Sequence, residues 1–417
     1  MKKIIQFILI ILSKLILWRY KPEVIGITGS VGKTSTKFAV ATVLSAGFKV
    51  RASQKNYNTE IGVPLAIIGC ESPKYSVLGW IRVLIKGMSL LIRKDKNYPD
   101  ILVLEMAADR KGDIEYLAGF TMPNVGIITA VGPAHLEFFG DVDVVLQEKA
   151  SMLDYLKENG CAVLNMDDEK VAGLPSKREI RVIGYGLNDQ AQVRAENIYV
   201  DKEKGGLNFK LGRDGSYVPV RLPYVLGKPG VYSALAAAST GIYYGMHLLQ
   251  IAEKLKEIRP VPGRLQLLSG IKNTRIIDDS YNSSPLSVKA ALEVLLHLNC
   301  TGDKFAVLGD MLELGEQTEQ AHKQVGEEVA SMGIDYLITV GERSTDTALA
   351  AKEYGMNEDR IYNFDNAEEA GKFLQDKMQE GDLILIKGSR GIKCEKIVKE
   401  IMAEPEKAKD LLVGQEE

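Results

Sequence analysis

The stretch VIGITGSVGKTSTK, residues Val24–Lys37, decides the fold of this 417-residue chain. A short apolar run ends in a glycine turn, and a stretch of helical composition follows, which predicts a buried strand, a loop and a helix. Glycines in such a loop let backbone N–H groups point at phosphate oxygens, and the N-terminus of the helix adds partial positive charge. The stretch therefore predicts a phosphate-binding loop.

The residue types of this loop predict a site for ATP and Mg²⁺. We expect Lys33 to reach the β- and γ-phosphates and the Thr34 hydroxyl to bind the metal ion. The usual pattern has glycine where Ile27 stands, so the loop is a variant. A purely structural glycine turn would not explain Lys33 and Thr34. The residues expected at the nucleotide in this loop are Gly29, Ser30, Val31, Gly32, Lys33, Thr34 and Ser35.

Composition narrows the class of protein. Apolar residues make up 46% of the chain and charged residues 26%, as in an ordinary globular protein. The net charge of −3 gives no basic field, so nucleic acid is not an expected partner. The four cysteines lie far apart and form no CxxC pair, which argues against a zinc ribbon or a disulfide framework and fits a reducing cytoplasm.

Apolar runs alternate with helical stretches along the rest of the chain, which predicts an α/β fold. Runs at 100–107, 124–131 and 161–168 indicate further strands of a mostly parallel sheet in the domain of the phosphate loop. From about Gln190 to Pro223 the alternation and glycine turns predict a small antiparallel part. After the linker RPVPGRLQ, more strand and helix patterns predict a second, Rossmann-like α/β domain. We expect an N-terminal helix (1–21), a central domain (22–259, with an apolar insertion at about 76–96) and a C-terminal domain (260–417).

Two segments have the composition of helices that lie in a membrane interface. The apolar run Ile4–Trp18 is shorter than the roughly 20 residues that span a bilayer. On a helical wheel its polar residues gather on one narrow face, and so do those of the insertion. These are Lys2, Lys3, Gln6, Ser13 and Lys14 in the first segment, and Arg82, Lys86, Ser89 and Arg93 in the second. The alternative is that the two helices pack on each other as a small subdomain.

Seven motifs resemble those of the Mur ligases, which use ATP to form amide bonds, and they occur in the order of that family. They are GITGSVGKTS (26–35), NYNTEIGVPL (56–65), GPAHLEFFG (132–140), PGRLQ (262–266), DDSYNSSP (278–285), LGDMLELGE (308–316) and IKGSRG (386–391). The last three are similar to the branch that adds D-alanyl-D-alanine to a muramoyl-tripeptide. The resemblance implies an acyl-phosphate intermediate, a muramoyl-peptide precursor and D-alanyl-D-alanine as substrates, and a role in peptidoglycan synthesis.

The resemblance also implies roles for single residues of the central domain. Glu105, at the end of the run DILVLE, and His135 resemble the family's ligands for Mg²⁺, together with Thr34. Lys149 stands where the family has a lysine that CO₂ converts to a carbamate, so the resemblance also implies Lys149 as a metal ligand through a carbamate oxygen, although the neighbouring family glutamate is Ser151 here. Lys33, His135 and Lys149 are thus the expected catalytic residues.

Further roles follow from the resemblance for residues around the substrates. Arg264 is expected at the nucleotide phosphates, and Asp279 at the ribose with Asn282 in the same loop. Asn56, Asn58 and Thr59 are expected at the edge of the muramoyl-peptide site, and Lys387 and Arg390 at the carboxylate of the incoming dipeptide.

The chain departs from the family pattern in two places. At Gly227–Ala238 it has Pro229, Gly230 and Ser233 where the family has His, Asn and Asn at the adenine. The apolar helix also stands where the family has a separate UDP-binding domain. We therefore expect an enzyme at the inner face of the cytoplasmic membrane, with an acceptor that is either UDP-linked or lipid-linked.

Two alternatives remain from the sequence. One is a different amide ligase of the superfamily, such as a poly-γ-glutamate or folyl-polyglutamate synthase; LGDMLELGE and IKGSRG favour the D-alanyl-D-alanine branch instead. The other is a membrane-associated nucleotide-binding protein without catalysis. The altered adenine stretch allows this second alternative, whereas the joint presence of Lys33, Thr34, Glu105, His135 and Lys149 argues against it.

Overall fold

The computed structural model describes residues 2–53, 57–132, 139–174, 180–201 and 206–414, without the side chains of residues 2 and 3. Within these residues the strands form one sheet of nine strands and one of six, and helices cover both. The predicted α/β class is confirmed.

The larger sheet is mostly parallel and carries an antiparallel edge. Its strands are β1 (Glu23–Thr28), β2 (Val50–Ala52), β3 (Ile101–Glu105), β4 (Val125–Ile128), β5 (Cys161–Asn165), β6 (Arg181–Gly186), β7 (Val193–Val200), β8 (Leu207–Arg213) and β9 (Ser216–Leu222). They lie in the order β2-β3-β1-β4-β5-β6-β7-β8-β9, and the pairs β7–β8 and β8–β9 are antiparallel. The antiparallel part predicted from about 190 to 223 is present.

Burial explains why the sequences of some strands are continuous apolar runs. Every residue of β3, β4 and β5 is buried, because helices cover both faces of a parallel sheet. In β8 buried and less buried residues alternate, as expected where one face is open. Asp214 and Gly215 join β8 to β9 with φ of 48° and 76°, the conformation of a tight hairpin turn.

The smaller sheet has one antiparallel edge strand. Its strands are β10 (Gln266–Ser269), β11 (Arg275–Asp279), β12 (Lys304–Gly309), β13 (Tyr336–Val340), β14 (Ile361–Phe364) and β15 (Leu383–Lys387). They lie in the order β10-β11-β15-β12-β13-β14; β10 runs antiparallel to β11, and the other pairs are parallel. The sequence patterns did not predict the short strands β2, β10 and β14, nor β6, which begins with polar and exposed residues.

Helices pack on both sheets. In the larger sheet's region they are α1 (Lys2–Tyr20), α2 (Lys33–Leu44), α3 (Gly62–Ile68), α4 (Val77–Ile92), α5 (Asp113–Thr121), α6 (Val142–Ala150), α7 (Glu169–Ala172), α8 (Gly227–Tyr243) and α9 (Leu248–Leu255). Those of the smaller sheet's region are α10 (Pro285–His297), α11 (Thr318–Ser331), α12 (Thr345–Glu353), α13 (Ala367–Lys377), α14 (Glu395–Ile401) and α15 (Ala408–Leu411). The buried residues of α2, α8 and α9 form the core on one face of the larger sheet, and those of α1, α3, α4 and α5 form the core on the other.

The predicted polar face of α1 is wrong at one position. Ser13 is fully buried, and its hydroxyl has no hydrogen-bond partner. It lies on the side of the helix that packs inward with Leu9 and Ile16, because the apolar contacts of α1 with the core set its rotation.

Tyr20 donates a hydrogen bond to the carbonyl of Leu90 (3.0 Å), so α1 and α4 do contact each other, as the subdomain alternative expected. Among the described residues no helix combines the length and apolarity needed to cross a bilayer.

Candidate active site

Two glycines shape the loop between β1 and α2. Gly29 has φ of 149°, and a Cβ there would lie 1.9 Å from the Thr129 hydroxyl oxygen. Gly32, directly before α2, has φ of 84°, a left-handed conformation that side chains rarely adopt. Thr129 also donates a hydrogen bond to the Val31 carbonyl at 2.6 Å, which holds the loop against β4. The close approach of the loop to Thr129 therefore requires glycine at position 29, and the backbone turn before α2 favours glycine at position 32.

The ammonium group of Lys33 lies inside the loop. Its Nζ donates hydrogen bonds to the carbonyls of Gly29 (2.7 Å) and Ser30 (3.2 Å). Burial lowers the pKa of Lys33 from its ordinary value, and the charge of Arg264 lowers it further, whereas Glu105 opposes both. Two neutral carbonyls are weaker partners for this cation than a phosphate would be.

Glu105 lies at the end of β3 and is buried among partners from α2 and from the loop that contains Asn58. Thr34 donates its hydroxyl to both carboxylate oxygens (3.2 and 3.1 Å), and the Asn58 amide donates to one of them (3.2 Å). Lys37 forms an ion pair with the carboxylate at 3.2 Å. Burial alone would raise the pKa of Glu105, but Lys37 and Lys33 hold it below its ordinary value. The carboxylate is therefore charged and ready to bind a cation.

The donor set fits a magnesium ion bound together with phosphate. Mg²⁺ prefers oxygen ligands and is usually held by one or two carboxylates plus substrate phosphates. Glu105 and Thr34 provide a carboxylate and a hydroxyl in contact with each other next to the loop. In the part of the chain that the structure describes, no three His, Cys, Asp or Glu side chains form a metal-binding cluster. Of the other two expected ligands, Lys149 lies near the end of α6, and His135 lies outside the described residues.

Lys149 is buried near the end of α6. It is 2% exposed, and burial, helped by the charge of Lys33, lowers its pKa from 10.5 to about 7. The carboxylate of the adjacent Glu148 accepts hydrogen bonds from the N–H groups of Gly112 (2.7 Å) and Ile114 (2.8 Å) and so binds the start of α5. A large share of Lys149 is consequently neutral, and therefore nucleophilic, near pH 7.

On the side of the smaller sheet, Asp279 and Lys387 form a buried ion pair. The Lys387 Nζ lies 2.6 Å from Asp279 Oδ2 and 2.9 Å from the Asn282 carbonyl oxygen. The other oxygen of Asp279 accepts the N–H of Leu265 at 3.2 Å. Both residues thus have partners within the protein, where the sequence predicted contacts with ribose and with the dipeptide.

Arg264 and Arg390 differ in their surroundings. The Arg264 guanidinium lies over the ring of Tyr281, 4.2 Å from its centroid. Arg390 forms an ion pair with Glu395 at 2.7 Å and is 38% exposed. Arg264 therefore has a stacked and fixed position, whereas Arg390 is paired at the surface.

A cleft of about 630 Å³ lies between the two sheets. It is lined by the loop residues Ser30 to Ser35 on one side and by Arg264, Asp279, Asn282 and Lys387 on the other. Glu105, Lys149 and Arg390 do not line it, and Asn58 faces Glu105 instead. Thr59 is exposed, and Asn56 lies outside the described residues. The structure thus brings most of the predicted nucleotide-binding residues to one cleft.

The altered adenine stretch forms part of the wall of this cleft. Pro229, Gly230, Tyr232 and Ser233 line it from the first turns of α8. The Ser233 hydroxyl accepts a hydrogen bond from Thr36 (3.3 Å) and donates one to the Pro229 carbonyl (3.1 Å). The wall is therefore intact, although its chemistry differs from the family pattern.

The sequence reasoning did not identify Lys37. This residue is fully buried on α2, and it contacts Glu105 and the Ser53 hydroxyl (3.3 Å). The signal in the sequence was its spacing, because Lys37 comes four residues after Lys33 and so lies on the same helical face. Its partner, however, comes from a strand that follows far along the chain.

Comparisons with known proteins agree with this architecture. The model of the Mur ligase middle domain matches residues 85–241, and that of the Mur ligase, glutamate ligase domain matches residues 263–390. The UDP-N-acetylmuramoyl-tripeptide–D-alanyl-D-alanine ligase of Bacillus subtilis is 30% identical over 94% of this chain and 79% of its own. The Escherichia coli ligase of the same name is 31% identical over 90% and 76%.

Solved structures give the same result. The MurF ligase of Thermotoga maritima in complex with ADP is 28% identical, with a TM-score of 0.78 over 96% of this chain and 84% of that one. A MurF structure from Acinetobacter baumannii is 26% identical, with a TM-score of 0.77 over 93% and 79%. With both domain models matched and relatives aligned over nearly its whole length, the chain belongs to the Mur ligase family of ATP-dependent amide ligases.

Proposed function

We propose that the protein uses ATP to join D-alanyl-D-alanine to the carboxyl end of a muramoyl-tripeptide in peptidoglycan synthesis. The observation that carries this proposal is the cleft between the two sheets, where a phosphate loop faces Arg264, Asp279 and Asn282. The relatives that align over most of the chain bear the name of this activity. The motifs 308–316 and 386–391 support the same branch of the family.

The reaction has two steps with distinct bond changes. The acceptor carboxylate attacks the γ-phosphorus of ATP, the bond to ADP breaks, and an acyl phosphate forms. The amine of D-alanyl-D-alanine then attacks the carbonyl carbon, loses a proton, and displaces phosphate. Both steps bring anions together, so positive charge fixed in advance lowers the barrier.

Lys33 and the loop hold the phosphates in this proposal. The Lys33 ammonium exchanges the carbonyls of Gly29 and Ser30 for phosphate oxygens. The N–H groups of the loop and of the start of α2 bind the remaining phosphate oxygens. Arg264 contacts the phosphates from the opposite wall. Asp279 and Asn282 border the ribose through the lone pairs that their internal contacts leave free.

We propose that Glu105 and Thr34 hold one Mg²⁺ and that His135 contributes to a second site; the ions supply positive charge to the phosphate and carboxylate oxygens. In the absence of a metal ion, Lys37 balances the charge of Glu105.

We propose that CO₂ carbamylates Lys149. The neutral amine attacks CO₂, an N–C bond forms and one proton leaves, so a buried cation becomes an anion beside Lys33. The burial of Lys149 and its lowered pKa support this step. Protein prepared with ¹³C-bicarbonate should show one carbamate carbon signal that Lys149→Met lacks; a parent spectrum without the signal would refute the step.

The remaining predicted residues surround the two peptide substrates. We propose that Arg390, which is partly exposed, exchanges Glu395 for the dipeptide carboxylate, and that Lys387 acts by holding Asp279. Asn56 and Thr59 border the muramoyl peptide, and Asn58 positions Glu105 next to it.

The test is phosphate release with UDP-muramoyl-tripeptide and D-alanyl-D-alanine, and mass spectrometry of the product. Lys33→Ala should lose at least about a hundredfold in rate, whereas Lys254→Ala, on an exposed part of α9, should match the parent. Turnover with L-glutamate but not with D-alanyl-D-alanine would indicate the polyglutamate-type alternative. Nucleotide binding without turnover of any acceptor would indicate the non-catalytic one.

We also propose that the protein works on the cytoplasmic side of the membrane and contacts it peripherally.

A further inference from the structure

The outward sides of α1 and α4 form a continuous apolar surface, here named the α1–α4 face. Its large apolar side chains are 41–78% exposed. They are Ile4, Phe7, Ile11, Leu15 and Trp18 on α1, and Val77, Leu78, Ile81, Ile85, Met88 and Ile92 on α4. Apart from the adjacent Val77 and Leu78, these positions recur every three or four residues along each helix, so they make one stripe per helix.

This concentration is unusual for a protein surface. Half of the large apolar side chains that are exposed in the described part of the chain lie on these two helices. Single exposed apolar residues are normal, whereas a contiguous patch marks a surface that binds a partner or a membrane. The α1–α4 face therefore has the character of a docking surface.

The inner sides of the same helices are fixed in the protein core. Leu9 and Ile16 of α1 and Val83 and Leu90 of α4 are at most 6% exposed and belong to one core cluster. A Cβ added at Gly87 would lie 3.1 Å from Leu12, so the two helices are in close contact. Because one side is held by the core, the helices lie flat on the protein and present only their outer sides.

The charge around the face is positive. Lys14 on α1 and Arg82 and Lys86 on α4 are exposed between the apolar positions, and Arg93 and Lys94 follow directly after α4. Neither helix contains an aspartate or a glutamate, although the whole chain has a net charge of −3. The two helices thus carry basic residues without any acidic residue on the part of the surface that is also apolar.

We propose that the α1–α4 face docks on an anionic phospholipid bilayer. Apolar stripes that enter the acyl boundary, flanked by basic residues that meet anionic headgroups, are the features of helices that bind in the interface plane. Trp18 lies near one end of α1, as tryptophans do at membrane–water boundaries. A second copy of the chain would bring two positive faces together, which disfavours that occupant.

The docked protein keeps its cleft accessible. None of the residues that line the cleft belongs to α1 or α4. α1 is joined to β1 by only Lys21 and Pro22, and β1 leads into the phosphate loop. The proposal rests on the membrane location proposed above, and it names the surface and the lipid chemistry.

The experiment is co-sedimentation of the full chain with vesicles of phosphatidylcholine alone or mixed with phosphatidylglycerol. Phe7→Gln combined with Ile85→Gln removes one exposed apolar side chain from each stripe, and Arg82→Gln combined with Arg93→Gln removes charge. Leu249→Gln combined with Leu349→Gln is the matched control, because both residues are exposed on other helices. Unfolding temperature and ligase turnover with a soluble UDP-linked acceptor are measured for every variant.

We expect the parent and the control to bind the anionic vesicles, and each face variant to bind at least about tenfold less. Equal binding of face variants and parent would overturn the proposal, and so would equal binding of the parent to vesicles without phosphatidylglycerol. Sedimentation velocity tests the alternative occupant. If the parent is a dimer that does not bind vesicles, and Phe7→Gln combined with Ile85→Gln makes it a monomer, the face binds a second copy of the chain and the proposal is wrong. Turnover with the soluble acceptor reports on the proposed ligase activity separately, because vesicle binding does not require it.

Discussion

Removing one member of the Asp279–Lys387 pair should destabilise the smaller sheet strongly. The two charges lie 2.6 Å apart, the Lys387 side chain is 1% exposed and that of Asp279 is 9% exposed. Asp279→Asn keeps the shape of the side chain but leaves the buried ammonium of Lys387 with a neutral carbonyl, that of Asn282, in place of a carboxylate. Breaking a buried pair in this way costs about 3–5 kcal/mol of unfolding free energy.

The assay is urea unfolding at pH 7, followed by circular dichroism and fluorescence, for Asp279→Asn, Lys387→Met and the double variant. Each single variant should lose about 3–5 kcal/mol, and the double variant less than the sum, since it leaves no unpaired charge. The control is Glu257→Gln, which breaks an exposed pair with Lys254 (2.9 Å) and should cost at most about 1 kcal/mol. Single-variant losses below about 1 kcal/mol that simply add in the double variant would refute the reasoning.

Three further predictions concern the loop, the metal ligand and pH. Gly29→Ala should abolish ADP binding in a fluorescence titration, because its Cβ meets Thr129, whereas Gly47→Ala, with open space at its Cβ, should bind like the parent. Lys37→Met should lower the unfolding temperature by leaving Glu105 unpaired, and Mg²⁺ with ADP should restore most of the loss; an equal loss with and without them would contradict the role of Lys37. His322 accepts the Met311 N–H (3.0 Å), and burial lowers its pKa, so its contribution is present above pH 6.5 and is lost as the pH falls through the folded pKa. His322→Gln should therefore show a smaller decrease in unfolding free energy between pH 7 and pH 5 than the parent.

The sequence alone was sufficient to predict the elements whose local sequence pattern is strong. Long apolar runs predicted β3, β4 and β5, and the glycine pattern predicted the loop that joins β1 to α2. Because parallel strands end at the same edge of a sheet, Glu105 could be placed near the loop from its position at a strand end. Asp279 was placed at the nucleotide only by the resemblance to the Mur ligases.

The partners of these residues could not be predicted, because they depend on strand register and helix packing. Asp279 meets Lys387 because β11 and β15 pair in parallel with these two residues opposite each other, 108 positions apart in sequence. Lys37 meets Glu105 because α2 packs next to β3. Ser13 is buried because contacts with the core decide which side of α1 faces inward. A helical wheel shows which residues share a face, but it does not show which face packs on the core.

These partners together explain how a site made for anions can exist without its ligands. In this structure Lys33 is held by loop carbonyls, Glu105 by Lys37, and Lys387 by Asp279. Buried charges of one sign would otherwise oppose folding. In the proposed function, ligand binding is an exchange of partners: phosphate oxygens would replace the carbonyls at Lys33, and Glu105 with Thr34 would hold Mg²⁺ beside Lys37. The exchange at Lys33 favours nucleotide binding, because an anionic phosphate oxygen is a stronger partner for the buried ammonium than a neutral carbonyl.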